Sequence, residues 1–221
     1  MATVVAPATI AWPFGAPFGD GQLAVVARSV VDRIGLYGHP GAPLPWRHLE
    51  QPNRAGLPLV FLAVGRADDG WLRVKVPLRP NGTTAWIRLA DVRLTRTRYH
   101  VEVAVAARRL TLRWGPKTLL EAPVAVGRPW TPTPAGSFYV ESSIRRTAPD
   151  PLYGRYEMGL SGFSEVLTAF NGGDGQLAIH GTGRPDLIGR AVTAGCVRLH
   201  HEDVSELSRR VPLGTPVRIR P

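Results

Sequence analysis

Cys196 is the only cysteine of the chain, and its neighbours could make its thiol a nucleophile. Gly195 precedes it and Arg198 follows two positions later. A glycine lets a substrate carbonyl approach the backbone closely, as a site that binds an oxyanion through N–H groups requires. Along a strand, Arg198 would project to the same face as the thiol, where a cation activates a thiolate or holds a substrate carboxylate. A lone cysteine is more often a small buried apolar residue, so both interpretations stay open here.

A candidate base precedes the cysteine by sixteen residues. His180 ends the apolar segment QLAIH and is followed directly by Gly181. An imidazole at the tip of a buried strand is suited to proton transfer near neutral pH, although a histidine standing alone there is more often a hydrogen-bonded part of a core. The other histidines fall in predicted loops, in a connector and at a predicted helix start: His39, His48, His100, His200 and His201.

The elements that must position these groups are short strands. Three segments of the first half are apolar or alternate apolar with polar residues, and turns with the sequences DDG and RPNG separate them: residues 57–65, 71–78 and 83–92. Period-two alternation with one polar face is typical of half-buried strands, so we predict an antiparallel meander. With QLAVVARSV as a further strand, roughly residues 20–95 fit a small β-barrel.

The second half has the same texture after the charged connector RLTRTRYH. Short β-branched or alternating segments, separated by Gly and Pro, predict an all-β sandwich. One helix is expected in HEDVSELSRRVP, because Val204, Leu207 and Val211 fall on one stripe and Pro212 stops the pattern. The predicted fold class is therefore all-β, with one or two short helices.

Two ordered motifs give the chain a resemblance to a known family. His-Gly at 180–181 and TAGCVR at 193–198, joined by a loop that contains Gly189, resemble the signature of the L,D-transpeptidases with a YkuD-type catalytic domain. The segments TPTPAGSFYV and PLGTPVRI are similar to that family's threonine-proline segment and closing strand. This chain departs from the family in Ala194, where histidine is common, and in Thr193, which stands where serine is common but keeps the hydroxyl.

The resemblance implies a division of the chain into three parts. These are an N-terminal extension over residues 1–19, a small SH3-like β domain over 20–97 and the YkuD-type catalytic β-sandwich over 98–221. The SH3-like assignment comes from DGWLRVKVPLRPNGTTAWIRLADV, and a structural spacer without a ligand is an equally good interpretation of it. Trp46, Trp71 and Trp86 could line a groove, but tryptophans at such spacing more commonly belong to a core.

The resemblance also implies a reaction on the peptide stem of peptidoglycan. Cys196 would attack the carbonyl that links the third stem residue to D-alanine, with His180 as base and a thioester as the intermediate. An amine of a second stem would then form a three-to-three cross-link. The implied site contains, besides these two catalytic groups, the orienting Gly181 carbonyl with Asp186 as its rival, Thr193, the oxyanion donors Gly195 and Cys196, and Arg198 for a substrate carboxylate.

The resemblance implies no cofactor and no metal. The implied partners are peptidoglycan stems, with carbapenems and other β-lactams as covalent inhibitors. The net charge of +10, almost all from arginine, suits an anionic cell wall, but dispersed arginines without interleaved aromatics do not favour nucleic acid. No apolar run long enough to cross a membrane is present. We expect a protein exported to the cell wall or periplasm, with a targeting segment not evident in this chain.

Four alternatives to cross-linking remain. The same site would act as a carboxypeptidase with water as acceptor, or would attach another protein to the wall. A wall-binding protein with an inert cysteine is a non-enzymatic alternative. A sortase-like transpeptidase is disfavoured, because there threonine directly precedes the cysteine and the histidine lies much further upstream.

Overall fold

The computed structural model describes residues 23–66, 69–170 and 172–221, and strands dominate it. The predicted extension over residues 1–19 lies outside the described residues, as does Asp68 of the predicted DDG turn. The all-β class is confirmed, with one α-helix in the described part of the chain.

Strands of the first half pair with one another. Their bounds are β1 Ala24–Ser29, β2 Arg33–Leu36, β3 Arg47–Glu50, β4 Val60–Arg66, β5 Trp71–Lys75, β6 Thr84–Arg88 and β7 Val92–Thr97, with a 3-10 turn at Leu89–Asp91. An antiparallel sheet has the order β6-β5-β4-β1-β7, and β2 and β3 form a separate antiparallel pair. The consecutive neighbours β4, β5 and β6 are the predicted meander. The SH3-like classification of this sheet stays a prediction.

The second half contains the remaining strands. Their bounds are β8 Tyr99–Ala104, β9 Arg109–Trp114, β10 Lys117–Pro123, β11 Val126–Gly127, β12 Gly136–Tyr139, β13 Ile144–Asp150, β14 Gly154–Phe163, β15 Gln176–His180, β16 Ala191–Thr193, β17 Val197–Arg198 and β18 Pro216–Arg220. One sheet has the order β10-β9-β8-β18-β12, and another has the order β13-β14-β15-β17. β11 and β16 form a short parallel pair, and a 3-10 turn spans Pro185–Leu187.

The predicted helix is present as α1, His201–Arg210. Val204 and Leu207 on its apolar stripe are fully buried, and Val211 just after it is nearly so. Acidic residues in its first turn and arginines in its last turn stabilise the helix dipole. These apolar side chains join the core between the two sheets of the second half.

A small apolar cluster joins the two halves. Val26 and Leu62 of the first sheet pack with Tyr139, which is fully buried at the end of β12. Gly214 lies so close to this surface that a Cβ atom there would clash with a methyl group of Val26. The division at residues 97 and 98 is still our proposal, and the separate pairing of β1–β7 and β8–β18 supports it.

Candidate active site

Three neighbouring strands bring the predicted site residues into one row. β15 pairs with β14 on one side and with β17 on the other, so that His180 lies opposite both Glu157 and Arg198. Cys196 precedes Arg198 by two positions and therefore lies level with Ala178, on the same face as the imidazole. A hydrogen bond from the Ala178 backbone to the sulfur agrees with this placement.

The His180 ring is oriented by the backbone and by an aromatic neighbour. Its Nδ1 lies 2.6 Å from the carbonyl oxygen of Gly181. A carbonyl only accepts, so this contact places the proton on Nδ1 and leaves Nε2 as the basic nitrogen. Tyr153 packs edge-on against the imidazole, with the ring centroids 4.9 Å apart. Asp186, the rival orienting group, instead pairs with Arg184 on the surface.

A tight turn presents the cysteine. The Thr193 hydroxyl, which is almost fully buried, donates to the Cys196 carbonyl at 2.6 Å and accepts from the Gly195 N–H at 3.1 Å. Gly195 has a φ of +123°, a region that favours glycine. Thr193 therefore shapes the turn and is a positioning residue. The Gly195 N–H is engaged by the Thr193 hydroxyl in this structure, and the oxyanion roles of the Gly195 and Cys196 N–H groups stay predictions.

Two further threonine hydroxyls hold this turn from the segment TPTPAGSFYV. Thr131 donates to the Thr193 carbonyl at 3.0 Å, and Thr133 donates to the Gly195 carbonyl at 2.8 Å. Thr133 also accepts from the Gly127 N–H at 2.8 Å. The threonine-proline segment thus supports the cysteine turn through hydrogen bonds. The sequence identified this segment only through a resemblance.

Burial keeps the thiol and the imidazole neutral. It raises the pKa of Cys196 to about 11, although the Ala178 backbone and the Arg198 cation oppose that shift. Burial likewise lowers the pKa of His180 to about 4, and the Gly181 carbonyl opposes it. The expected stabilisation of a thiolate by Arg198 is therefore outweighed by desolvation. Both shifts favour the neutral form of the thiol and of the imidazole.

The cysteine nevertheless has a cavity beside it. Cys196 is partly exposed and lines a cavity of about 450 Å³, together with Tyr153 and Glu157. The far wall comes from residues 170 and 172–176, with Arg54 and Ala55 from the first half of the chain. A cavity of this size accommodates part of a peptide.

Arg198 has an unused donor near His180 and Cys196. Its Nε is buried without a hydrogen-bond partner in the described part of the chain, and the side chain is half-buried. Because guanidinium groups bind carboxylates through paired N–H donors, this group is suited to a substrate carboxylate.

A second cavity, of about 630 Å³, lies between the two halves. Arg54 and Asp174 line both cavities and are joined by an ion pair of 2.6 Å. Trp46 contributes to it and is half exposed, as a groove residue would be. Trp71 instead packs edge-on against Tyr37.

Sequence reasoning missed Tyr153, Glu157 and Arg54. Tyr153 and Glu157 belong to a β-rich stretch without a motif, and only the register of β14 against β15 brings Glu157 to His180. Arg54 lies far from the cysteine in sequence and reaches the cavity through packing between the halves.

Neither a metal site nor a membrane span was found in the described residues. No group of three or more His, Cys, Asp or Glu side chains there is arranged to hold a metal ion. No helix in the same ranges is long and apolar enough to cross a bilayer.

Comparisons with known proteins point to one family. The sequence profile of YkuD, described as the L,D-transpeptidase catalytic domain, matches residues 98–219. The putative L,D-transpeptidase YkuD of Bacillus subtilis is 38% identical over 121 residues, which cover 55% of this chain and 65% of that protein. Its counterpart in Bacillus licheniformis is 36% identical over 123 residues, covering 56% of this chain and 66% of that one. The chain thus spans just under two thirds of the length of these relatives.

Solved structures include more distant matches. L,D-transpeptidase 3 of Mycobacterium tuberculosis, in complex with a faropenem-derived adduct, has a TM-score of 0.49 and 18% identity, over 62% of this chain and 73% of that one. LdtMt1 in complex with imipenem has a TM-score of 0.45 and 16% identity, over 68% of this chain and 90% of that one.

Proposed function

Because the chain belongs to the YkuD family of L,D-transpeptidase catalytic domains, we propose that it cross-links peptidoglycan stem peptides through a thioester on Cys196. The observation that supports this most directly is the row of His180 and Arg198 on paired strands, with the cysteine on the same face and open to a cavity. Because burial raises the pKa of the Cys196 thiol, attack by the sulfur needs a nearby base, and His180 is that base.

The proposed first half-reaction is acylation. The Cys196 sulfur attacks the carbonyl that joins the third stem residue to D-alanine, while His180 Nε2 takes the thiol proton. The Gly181 carbonyl holds the imidazole in the required tautomer and stabilises the imidazolium that forms. The Cys196 N–H binds the developing oxyanion. The C–N bond then breaks, and the proton on His180 passes to the leaving D-alanine amine.

The second half-reaction transfers the acyl group. A side-chain amine of another stem attacks the thioester carbonyl, gives its proton to His180 and releases the thiol, so that the enzyme is regenerated. Arg198 holds a stem carboxylate next to the sulfur. Water in place of the amine makes the same site a carboxypeptidase, and only the products distinguish these two outcomes. The net charge of +10 favours approach to the carboxylate-rich wall.

Cys196→Ala is the decisive variant. We expect it to abolish D-alanine release from a synthetic tetrapeptide stem and to leave the circular dichroism spectrum and the melting temperature nearly unchanged. Mass spectrometry of the products shows whether cross-linked dimers or trimmed stems form. Sustained D-alanine release by Cys196→Ala would contradict the proposal.

Covalent trapping gives a second test that needs no natural substrate. We expect a carbapenem to add its mass to the wild type at Cys196, because a thiolate opens the β-lactam ring, and to leave Cys196→Ala unmodified. Folded wild-type protein that forms no adduct and releases no D-alanine would favour a wall-binding function instead.

A further inference from the structure

The first half of the chain holds part of the wall around the sulfur. This wall is the segment of residues 163–170 and 172–175, which we call the cavity wall. Phe170 and residues 172–175 line the Cys196 cavity directly. The wall follows β14 and leads into β15, the strand that carries His180. Its position therefore sets the room available to a substrate at the sulfur.

Arg79 connects the two ends of the cavity wall through hydrogen bonds. Its Nη1 donates to the Ser164 carbonyl at 2.5 Å, and its Nη2 donates to the carbonyls of Leu167 at 3.1 Å and Asp174 at 2.8 Å. Its guanidinium also lies over the Phe163 ring, 4.9 Å from the ring centroid. A single side chain of the first half thus joins three carbonyls that are up to ten residues apart in sequence.

Asn81, in the same turn, fixes the start of the wall. Its Nδ2 donates to the Phe163 carbonyl at 2.7 Å, and its Oδ1 accepts from the Phe163 N–H at 2.8 Å. This pair of bonds imitates the exchange between opposite residues of an antiparallel sheet. The sequence predicts the RPNG turn only as a hairpin connection between β5 and β6, but its side chains bind the other half.

The far end of the wall is also closely packed. A Cβ atom on Gly175 would clash with the Leu167 carbonyl oxygen and lie 3.2 Å from Arg79 Nη2. The Ser164 N–H donates to the Gly175 carbonyl at 2.8 Å. Little room is therefore left between Gly175, Leu167 and the guanidinium. Without Arg79, three carbonyls must find water instead.

We propose that Arg79 is a positioning residue for the transpeptidase site, acting from the first half of the chain by holding the cavity wall in its substrate-binding conformation. This inference rests on the proposed function of Cys196. It assigns to the first half a part in shaping the substrate site, beyond that of a spacer. Arg79 does not line the Cys196 cavity, so we expect its loss to act on that site through the wall.

Alkylation of Cys196 by iodoacetamide tests the wall without any peptide substrate. The thiol is the only one in the chain, so the rate reports on this site alone. We expect Arg79→Ala to raise the rate by about tenfold, the equivalent of losing one or two net hydrogen bonds that close the wall. Arg79→Lys should fall between, because one ammonium cannot reproduce a fork of two nitrogens. Arg73→Ala is the matched control, since the Arg73 guanidinium donates to the Thr84 hydroxyl within its own sheet.

Steady-state kinetics then tests the consequence for the substrate. Arg79→Ala should raise KM for the stem peptide about tenfold and change kcat much less, because the wall binds substrate and the reacting groups are untouched. Amide exchange at Phe163 should accelerate in Asn81→Ala, a second variant that serves if Arg79→Ala does not fold. Alkylation, amide exchange and KM all equal to those of the wild type would overturn the inference. Failure of the wild type to release D-alanine would refute the proposed function. The alkylation rates would still test whether Arg79 holds the cavity wall.

Discussion

The substitution Glu141→Gln is expected to stabilise the protein in a pH-dependent way. The Glu141 side chain is only 5% exposed, lies between the two halves and is contacted by Arg54 Nη2 at 4.0 Å and by Gln176 Nε2 at 2.5 Å. Burial raises the pKa of its carboxyl from 4.5 to about 7, and Arg54 and Gln176 offset only part of that cost. The folded protein therefore retains a proton that the unfolded chain gives up.

The sign and size of the effect follow from this difference. As pH rises from 4.5, the unfolded chain ionises at Glu141 first, so the free energy of unfolding falls until the folded carboxyl ionises near pH 7. At about 1.4 kcal/mol for each pKa unit, the loss is about 3 kcal/mol. The amide of the Glu141→Gln variant never ionises, so this variant avoids the loss at pH 8 and gains little at pH 4.5.

His180 acts in the opposite direction. Its pKa is about 4 in the folded protein and 6.5 ordinarily, so stability rises as pH increases from about 4 to 6.5. The two buried groups nearly cancel in the wild type over the window they share. In Glu141→Gln the rise due to His180 should become visible.

Urea unfolding followed by tryptophan fluorescence, at fixed pH values from 4.5 to 8, measures these slopes. Glu165→Gln is the control, because Glu165 is exposed, and its profile should follow that of the wild type. A Glu141→Gln variant that is destabilised equally at pH 4.5 and pH 8 would refute the reasoning. That result would mean that Arg54 and Gln176 fully compensate the buried carboxylate.

Further outcomes concern the cysteine turn and its surroundings. Thr193→Val should cost about 1–3 kcal/mol in urea unfolding and slow D-alanine release, whereas Thr193→Ser, which keeps both hydrogen bonds, should resemble the wild type in both assays. Gly195→Ala should cost about 1–3 kcal/mol by the same measurement, because alanine is strained at a φ of +123°. Asp186→Asn should change D-alanine release by less than about twofold, because the Asp186 carboxylate pairs with Arg184 on the surface. A larger loss of activity would indicate that Asp186 orients the His180 ring. Iodoacetamide alkylation of Cys196 should keep accelerating above pH 9, and a plateau near pH 8 would contradict the burial of the thiol.

The sequence supported the strands, the helix and the order of the chemical groups. Period-two segments produced β4, β5 and β6, and the stripe through Val204 and Leu207 produced α1, because both patterns are local. The motif residue His180 ends β15, and Cys196 directly precedes β17. The register of β15 against β17 then brought His180 level with Arg198.

Long-range packing decided what the sequence could not predict. Whether Thr193 takes part in chemistry or shapes a turn depends on which groups its hydroxyl meets, and burial of the thiol outweighs a cation two residues away. Arg79 was marked only as part of a turn and Arg54 by no motif, because the role of each depends on how the first sheet docks. Composition revealed many arginines but not which ones lie at the cavity.

The contact of Gly214 with Val26 makes the catalytic half a poor candidate for excision. A fragment that starts at Tyr99 would leave Tyr139 and Leu213 without their cover and would lack Arg79 as well. Such a fragment would tend to aggregate, and its soluble fraction would have a loosely packed wall at the Cys196 cavity. A fusion of this catalytic half to another targeting domain would therefore have to include the first sheet.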